Sequence, residues 1–365
     1  MFSPSDLNHQ LNLLLASFVD DQANVHNGVL LVESPVINWK GACGMAFPEK
    51  AIPMLPDDQF NIDSIAKMMT AVLVMKLIEA KELALEDKIY QFLPRSIIEG
   101  LHVYKGQSYG ERITIAHLLS HTSGIADDWA DSHFLDLIIA DPQRHWKPEE
   151  TLEYIKKNCE PKFRPGAGFQ YSDPGYNLLG LIIEEVTGTE LHIIYRELLL
   201  DPLKMEYTYR PSHEIARPRF PGRGPSQRYL DDMECTLLPA VLTADWAGGG
   251  LISTTEDLHL FMRAFVRNKI FNNPATKEKM FNWVTSGPFH NYGLGISRVL
   301  FDKSDNPAHK GLGEVWGHTG SSDNFMYYWP EGDMIMIGTL NQLNCARDLY
   351  DNIALIIRTV QNSAT

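Results

Sequence analysis

Three short segments carry side chains able to do chemistry together. The first is Ser64-Ile-Ala-Lys67, at the start of a helix-compatible run. Residues at i and i+3 share a helix face, so the Lys67 amine can reach the Ser64 hydroxyl. A desolvated lysine helps deprotonate a serine that is otherwise a poor nucleophile. The second is Tyr171-Ser172-Asp173, within FRPGAGFQYSDPGYNLLG. Its Gly and Pro neighbours place Tyr171 on a loop just before a helix, where a phenol can project into a cleft. The third is His318-Thr319-Gly320 on a strand, followed by Ser321. A strand edge ending in glycine and small hydroxyl residues lets a substrate backbone approach and offers it N–H groups. Alone, each has an ordinary explanation: a helix-capping serine beside a solvated lysine, a tyrosine packed to anchor its loop, a plain strand end. A Ser-x-x-Lys occurs about once by chance in a chain of this length at average composition.

The elements that must position these segments follow from periodicity. MFSPSDLNHQLNLLLASFVDD reads as an amphipathic helix, and NGVLLVES with VINWKGACG as an antiparallel hairpin. SIAKMMTAVLVMKLIEAKEL is a long helix with Met68, Val72, Met75 and Ile78 at i, i+4, i+7 and i+10. Helices dominate to about residue 200, including ITIAHLLSH, YNLLGLIIEEVTG stopped by Gly188, and ELHIIYRELLL. RPSHEIARPRFPGRGPSQRYLDD has no periodicity and reads as a long surface loop bordering a site. Strands return in EVWGHTGSS, NFMYYW and MIMIGTLNQ, and a last helix shows Leu349, Ile353, Ile356 and Val360 on one face. Strands at both ends around a helical middle predict a sheet assembled from the two termini with a helical lobe inserted. The division expected is residues 1–60 with 245–365 as an α/β lobe, and 61–244 as a mainly helical lobe carrying the serine and tyrosine motifs.

In this order the three segments resemble the serine β-lactamase and penicillin-binding superfamily, with its Ser-x-x-Lys signature and later Lys-Thr-Gly strand. The resemblance is nearest to the branch of class C β-lactamases, family VIII esterases and D-aminopeptidases. It runs through FNIDSIAK, ITIAHLLSHTSGI, FRPGAGFQYSDPGYNLLGLIIEEVTG, PLKM, GGGLISTTEDLHLF, YGLGIS and WGHTGSS, from about residue 25 to residue 345. It implies an α/β (α+β) β-lactamase/transpeptidase-like fold: an antiparallel sheet flanked by helices, a helical lobe, and an active cleft between them. It also implies Ser64 as acylated nucleophile and Lys67 with Tyr171 as proton-transfer pair. The backbone N–H groups of Ser64 and Ser321 would form the oxyanion hole, and Asp173, His318, Thr319, Gly320 and Ser321 would bind substrate. A tyrosine with a reference pKa of about 10 works as a base near neutrality only beside a cation, and Lys67 is the obvious one.

Two departures from the superfamily pattern narrow the substrate. Asp173 stands where many relatives carry Asn, and His318 where penicillin-recognising members carry Lys. A carboxylate in place of an amide removes two donors and adds charge, and a largely neutral imidazole attracts a substrate carboxylate less than an ammonium does. Both disfavour an anionic β-lactam. His318 is expected to gain charge as pH falls toward 6, and a substrate carboxylate held elsewhere would call first on the arginines of the 210–228 loop. The expectation is a serine hydrolase, most readily a carboxylesterase on small esters. A D-aminopeptidase or amidase with weak β-lactamase activity is the close alternative, and a non-catalytic binding or sensor module the more distant one. The intact Ser64, Lys67 and Tyr171 oppose the last.

Composition excludes other classes. The chain has 365 residues, 44% hydrophobic, with 32 Lys and Arg against 46 Asp and Glu, a net charge of −14 without basic blocks. That is ample apolar material for a core, and it opposes binding to nucleic acid or anionic membranes. His117 and His121 have the i, i+4 spacing of zinc ligands but no Glu follows His117, so they are read as structural. The group Asp127, Asp128, Asp131 and His133 lacks the calcium-loop glycine and is read as a solvated face or pocket rim. No metal or cofactor is expected, and the partner expected is a small ester, amide or short peptide. Cys43, Cys159, Cys235 and Cys345 lie far apart and read as buried thiols. The first segment has no basic n-region or cleavage site, and nothing approaches a membrane span. A soluble cytoplasmic protein is expected, or a periplasmic or secreted one if a leader was removed. No Gly-x-Ser-x-Gly elbow or phosphate-binding Gly-x-x-x-x-Gly-Lys is present.

Overall fold

The computed structural model describes residues 4–364. Helix α1 (Pro4–Asp20) buries Leu7, Leu11, Leu15 and Phe18. The hairpin β1 (Asn27–Ser34) and β2 (Ile37–Phe47) follows, then the short β3 (Ile52–Pro53). After the helical middle come β4 (Val284–Thr285), β5 (His290–Tyr292), β6 (Ser297–Leu300), β7 (Glu314–Gly320), β8 (Asn324–Trp329) and β9 (Met334–Thr339). These nine strands form one sheet in the order β4-β5-β6-β7-β8-β9-β1-β2-β3, and every neighbouring pair is antiparallel. The N-terminal hairpin joins the C-terminal meander where Leu30 faces Gly338 and Val32 faces Met336. That is the sheet built from both ends of the chain.

Both faces of this sheet are covered, which explains why β1 and β9 read as unbroken apolar runs instead of alternating ones. Successive side chains point to opposite faces: Val29, Leu31, Ile335 and Ile337 enter the central core, while Leu30, Val32, Met334 and Met336 enter the outer one. The outer core is completed by α1 and the C-terminal helix, from Leu349 to Ala364, through Ile353, Ile356 and Val360.

Helix α2 (Ile65–Glu79) lies in the central core with Ile65 through Met75 all buried. The periodic residues Met68, Val72, Met75 and Ile78 are only part of its buried surface: a helix apolar all round is enclosed on all sides. It packs on α4 (Asp173–Thr187), which ends at Gly188 in the left-handed conformation, and on strand β7. The five-residue α3 (Ile115–Leu119), which falls between α2 and α4 in sequence, packs on α4. The 210–228 segment has no regular structure, but it is not simply a surface loop: Arg210, Ser226 and Arg228 are buried. The four cysteines are free, and only Cys235 is fully buried, the other three being partly exposed. Among the described residues no helix is long and apolar enough to cross a membrane.

Candidate active site

Ser64 sits at the N-cap of α2 and is partly exposed, while Lys67, one turn on, is completely buried. The helix geometry does what the spacing requires: Lys67 Nζ donates to Ser64 Oγ at 3.0 Å and to the carbonyl of Gly248 at 3.0 Å. Tyr171 comes from the loop before α4 and faces Ser64 and Lys67, with the ammonium 5.1 Å from its ring centroid. Asp173, in the first turn of α4, forms an ion pair with Lys67, and Asp245 lies 3.8 Å from the same nitrogen. Segments more than 170 residues apart in sequence thus meet at one ammonium.

The 245–250 segment reaches Lys67 because Phe60–Asn61 pairs with Ile252–Ser253, and Ile62 N–H donates to Leu251 at 3.1 Å. A Cβ at 248 would stand 2.4 Å from Asp245 Oδ1 and 2.9 Å from Lys67 Nζ, so a side chain there would displace these charged groups. Strand β7 approaches from the other side, where a Cβ at Gly320 would lie 2.8 Å from the carbonyl of Ile62. Thr319 and Gly320 are partly exposed at the strand end, and Ser321 is exposed just beyond.

Two features beside Ser64 were not legible in the sequence. Asp63, with φ of 45°, accepts from Ser322 N at 2.8 Å, Ser322 Oγ at 2.6 Å and Asn324 Nδ2 at 2.9 Å, and pairs with buried Arg228. This knot ties the serine turn to the end of β7. On the other side, Asp127 Oδ1 accepts the N–H of Asp173 at 3.0 Å, and Asp128 is fully buried. The acidic group expected as a solvated rim is therefore split. Asp128 belongs to the interior and Asp127 is half-buried at the edge of the site, because the loop after α3 runs under α4. Asp131 and His133 stay outside at the start of another helix.

The charges around Lys67 are unequal. Burial disfavours its ammonium, but Asp173, Asp245 and Tyr171 outweigh burial and hold the amine well above its ordinary pKa. Burial raises Tyr171 above the usual phenol range, Lys67 opposes this, and Asp173 adds to it. Burial and then the charge of Asp173 push Asp127 up to about 7, while Asp128 and Asp245 are carried well above the carboxylate range.

His318 is 2% exposed. Its Nε2 contacts the Tyr292 hydroxyl at 2.8 Å and its Nδ1 the Thr319 carbonyl at 2.7 Å. Burial, and secondarily Lys67, bring its pKa down to about 3. The expected gain of charge toward pH 6 is thereby corrected: an imidazole with no water around it stays neutral there. Four of the five loop arginines are committed as well, while Arg217 is exposed. Arg210 donates to the Trp246 carbonyl, Arg219 to Tyr207 Oη at 2.8 Å, Arg223 pairs with Asp58 and Arg228 with Asp63. His117 and His121 do not converge. Each spends its Nδ1 lone pair on a backbone N–H, from Thr114 at 3.2 Å and Ser172 at 3.1 Å.

With this geometry in hand, the comparisons place the chain: the β-lactamase family model matches residues 15–360, and the protein belongs to that family. It is 26% identical over 328 residues to penicillin-binding protein 4* of Bacillus subtilis (strain 168), covering 85% of this chain but 64% of that protein's length. It is 27% identical over 316 residues to esterase EstB of Burkholderia gladioli, covering 78% of this chain and 79% of the relative. Among solved structures, a D-stereospecific amidohydrolase from Streptomyces sp. superposes with a TM-score of 0.78 at 25% identity, covering 95% of this chain and 97% of the other. The β-lactamase-like fold, an antiparallel sheet with flanking helices, is the one expected from the sequence.

Proposed function

We propose that the protein is a serine hydrolase that acylates Ser64 and cleaves small carboxylic esters, with short amides as the second substrate class. The observation that carries this reading is the 3.0 Å hydrogen bond from Lys67 Nζ to Ser64 Oγ, with the Tyr171 ring centroid 5.1 Å from the same nitrogen. In acylation Ser64 Oγ attacks the carbonyl carbon and its proton passes to the Lys67–Tyr171 unit. The developing oxyanion faces the backbone N–H groups of Ser64 and Ser321. The same unit returns the proton to the leaving alcohol, and water then repeats the sequence to release the acid. Because Lys67 is held charged and Tyr171 held protonated, the resting unit carries both protons. The active form is the one that has lost one of them, so kcat/KM rises with pH above neutrality.

Esters are favoured over β-lactams because the group at position 318 is neutral and four of the five loop arginines, 210, 219, 223 and 228, already have partners, Arg217 remaining exposed. A missing charge-assisted hydrogen bond is worth about 1.5–3 kcal/mol, which sets a preference of about 10²-fold at its upper end. The likeness to EstB supports the ester reading, and the likeness to a D-stereospecific amidohydrolase supports the amide one. The test is a panel of p-nitrophenyl esters of increasing chain length, D- and L-amino-acid p-nitroanilides and nitrocefin, run on wild type and Ser64→Ala. Ester turnover that vanishes in Ser64→Ala, together with fluorophosphonate labelling, is the expected result. Undiminished turnover by pure Ser64→Ala overturns the mechanism, and labelling without turnover on any substrate returns the protein to a binding role.

A further inference from the structure

His121 lies outside the catalytic set and touches Tyr171 in three ways. Its carbonyl accepts the N–H of Gln170 at 2.9 Å, and its Nδ1 accepts the N–H of Ser172 at 3.1 Å. Its ring packs on the Tyr171 ring with centroids 4.2 Å apart and planes at 34°. One residue therefore holds the peptide groups on both sides of Tyr171 and the face of its phenol. The other walls of this pocket are Tyr292 and Tyr176, with ring centroids 4.7 and 5.2 Å from His121.

We propose that His121 is the positioning residue that holds Tyr171 in register with Ser64 and Lys67. The inference rests on the role given to Tyr171 above. A loop tyrosine has two free side-chain torsions and an unpaired flanking backbone. Fixing both neighbouring N–H groups to a single residue removes the backbone freedom, and the stacked ring limits the side chain. Proton transfer rewards such rigidity, because a displacement of about 1 Å costs about 10²-fold in rate.

The local backbone is built for this contact. His121 is 1% exposed and adopts φ of +55°, in the left-handed region that His, Asn and Asp enter more readily than other side chains. That turn follows the end of α3, with His121 N–H donating to the Leu118 carbonyl at 3.3 Å, and it swings the ring toward Tyr171. Since Nδ1 accepts a hydrogen bond, the ring proton resides on Nε2. Burial, then Lys67 and His318, keep the imidazole neutral, so it orients the phenol without adding a cation to the pair.

The test compares two variants that both tolerate the left-handed backbone. His121→Gly removes ring and acceptor. His121→Asn restores an acceptor oxygen near the place of Nδ1 but not the stack. On the best p-nitrophenyl ester, His121→Gly is expected to lower kcat by about 10²-fold with KM changed less than about 3-fold. His121→Asn is expected to recover to within about 10-fold of wild type. Thermal melts confirm that each variant is folded at the assay temperature, which is lowered if His121→Gly requires it. A folded His121→Gly with wild-type kcat overturns the inference, as does a His121→Asn no better than His121→Gly. Tyr171→Phe run alongside separates the failures. If it is fully active, the role of Tyr171 falls and this inference with it. If it is impaired while His121→Gly is not, only the role of His121 falls.

Discussion

The two sides of Ser64 carry two buried carboxylate clusters of opposite character. At residue 63 a single carboxylate meets a guanidinium, a hydroxyl, a backbone N–H and a side-chain amide, and both of its oxygens are filled. At residue 67 one ammonium faces Asp173 and Asp245, with Asp127 and Asp128 just behind, and Asp128 Oδ2 has no hydrogen-bond partner among the described residues. A matched network rigidifies its surroundings, whereas a mismatched one shifts the proton affinity of every member. The first cluster holds the serine turn in place, and the second sets its chemistry. The contrast can be tested, because damage to the first should appear in stability and damage to the second in rate and pH dependence.

The largest effect belongs to the matched cluster. Asp63→Ala strands Arg228 in the interior, and breaking a buried pair from one side costs about 3–5 kcal/mol. Urea unfolding at pH 7 measures it, and a loss below about 1 kcal/mol would make the two clusters alike. Next come Lys67→Ala and Tyr171→Phe, each expected to lower kcat by at least about 10²-fold. The double variant should be little worse than the poorer single one, as the proposed single proton-transfer unit requires. Multiplicative losses would instead show independent action.

A smaller effect distinguishes the mismatched cluster by pH. Asp127 has its folded pKa raised to about 7, so its contribution to stability is complete below the unfolded value of about 3.8 and is lost as pH rises through about 7. Asp127→Asn keeps an acceptor for the Asp173 N–H and cannot ionise. Its melting temperature should therefore fall less than that of wild type between pH 5 and pH 8, and parallel curves would contradict the assignment. The smallest effect expected is at His318. With its pKa near 3, the ratio of ester to benzylpenicillin kcat/KM should not move through this group between pH 5 and pH 8. A ratio that narrows toward pH 6 in wild type but not in His318→Gln would show that the imidazole does charge.

The N-terminal hairpin, the strands from 314 to 339, the helical middle, the sheet assembled from both termini and the motifs at 64–67, 171–173 and 318–321 were readable from the chain, but the short strands at 52–53, 284–285, 290–292 and 297–300 were not. The readable features rest on short-range regularities: the i, i+3 helix spacing, the stop at Gly188, and apolar runs bounded by turns. The helical spacing in α2 did not reveal that Ile65 through Met75 are all buried, because periodicity reports which residues are apolar, not how many neighbours enclose them. The reading of the acidic group as a solvated face or pocket rim failed at Asp128, because two adjacent carboxylates look like a surface until another helix lies over one of them.

What the sequence determined by itself was the inventory of reactive groups and the local geometry that brings Ser64 and Lys67 one turn apart. What only the tertiary structure decided was their charge. Asp245 lies 178 positions from Lys67, and Arg228 lies 165 from Asp63, in a segment without periodicity. No spacing rule links such partners, because their meeting depends on the Phe60–Asn61 pairing with Ile252–Ser253 and on glycines that let backbones approach. The same holds for His318, whose residue type promises a titration near neutrality and whose burial against Tyr292 removes it. A proton's affinity is set by desolvation and by neighbouring charges, and both depend on which parts of the chain the fold packs together.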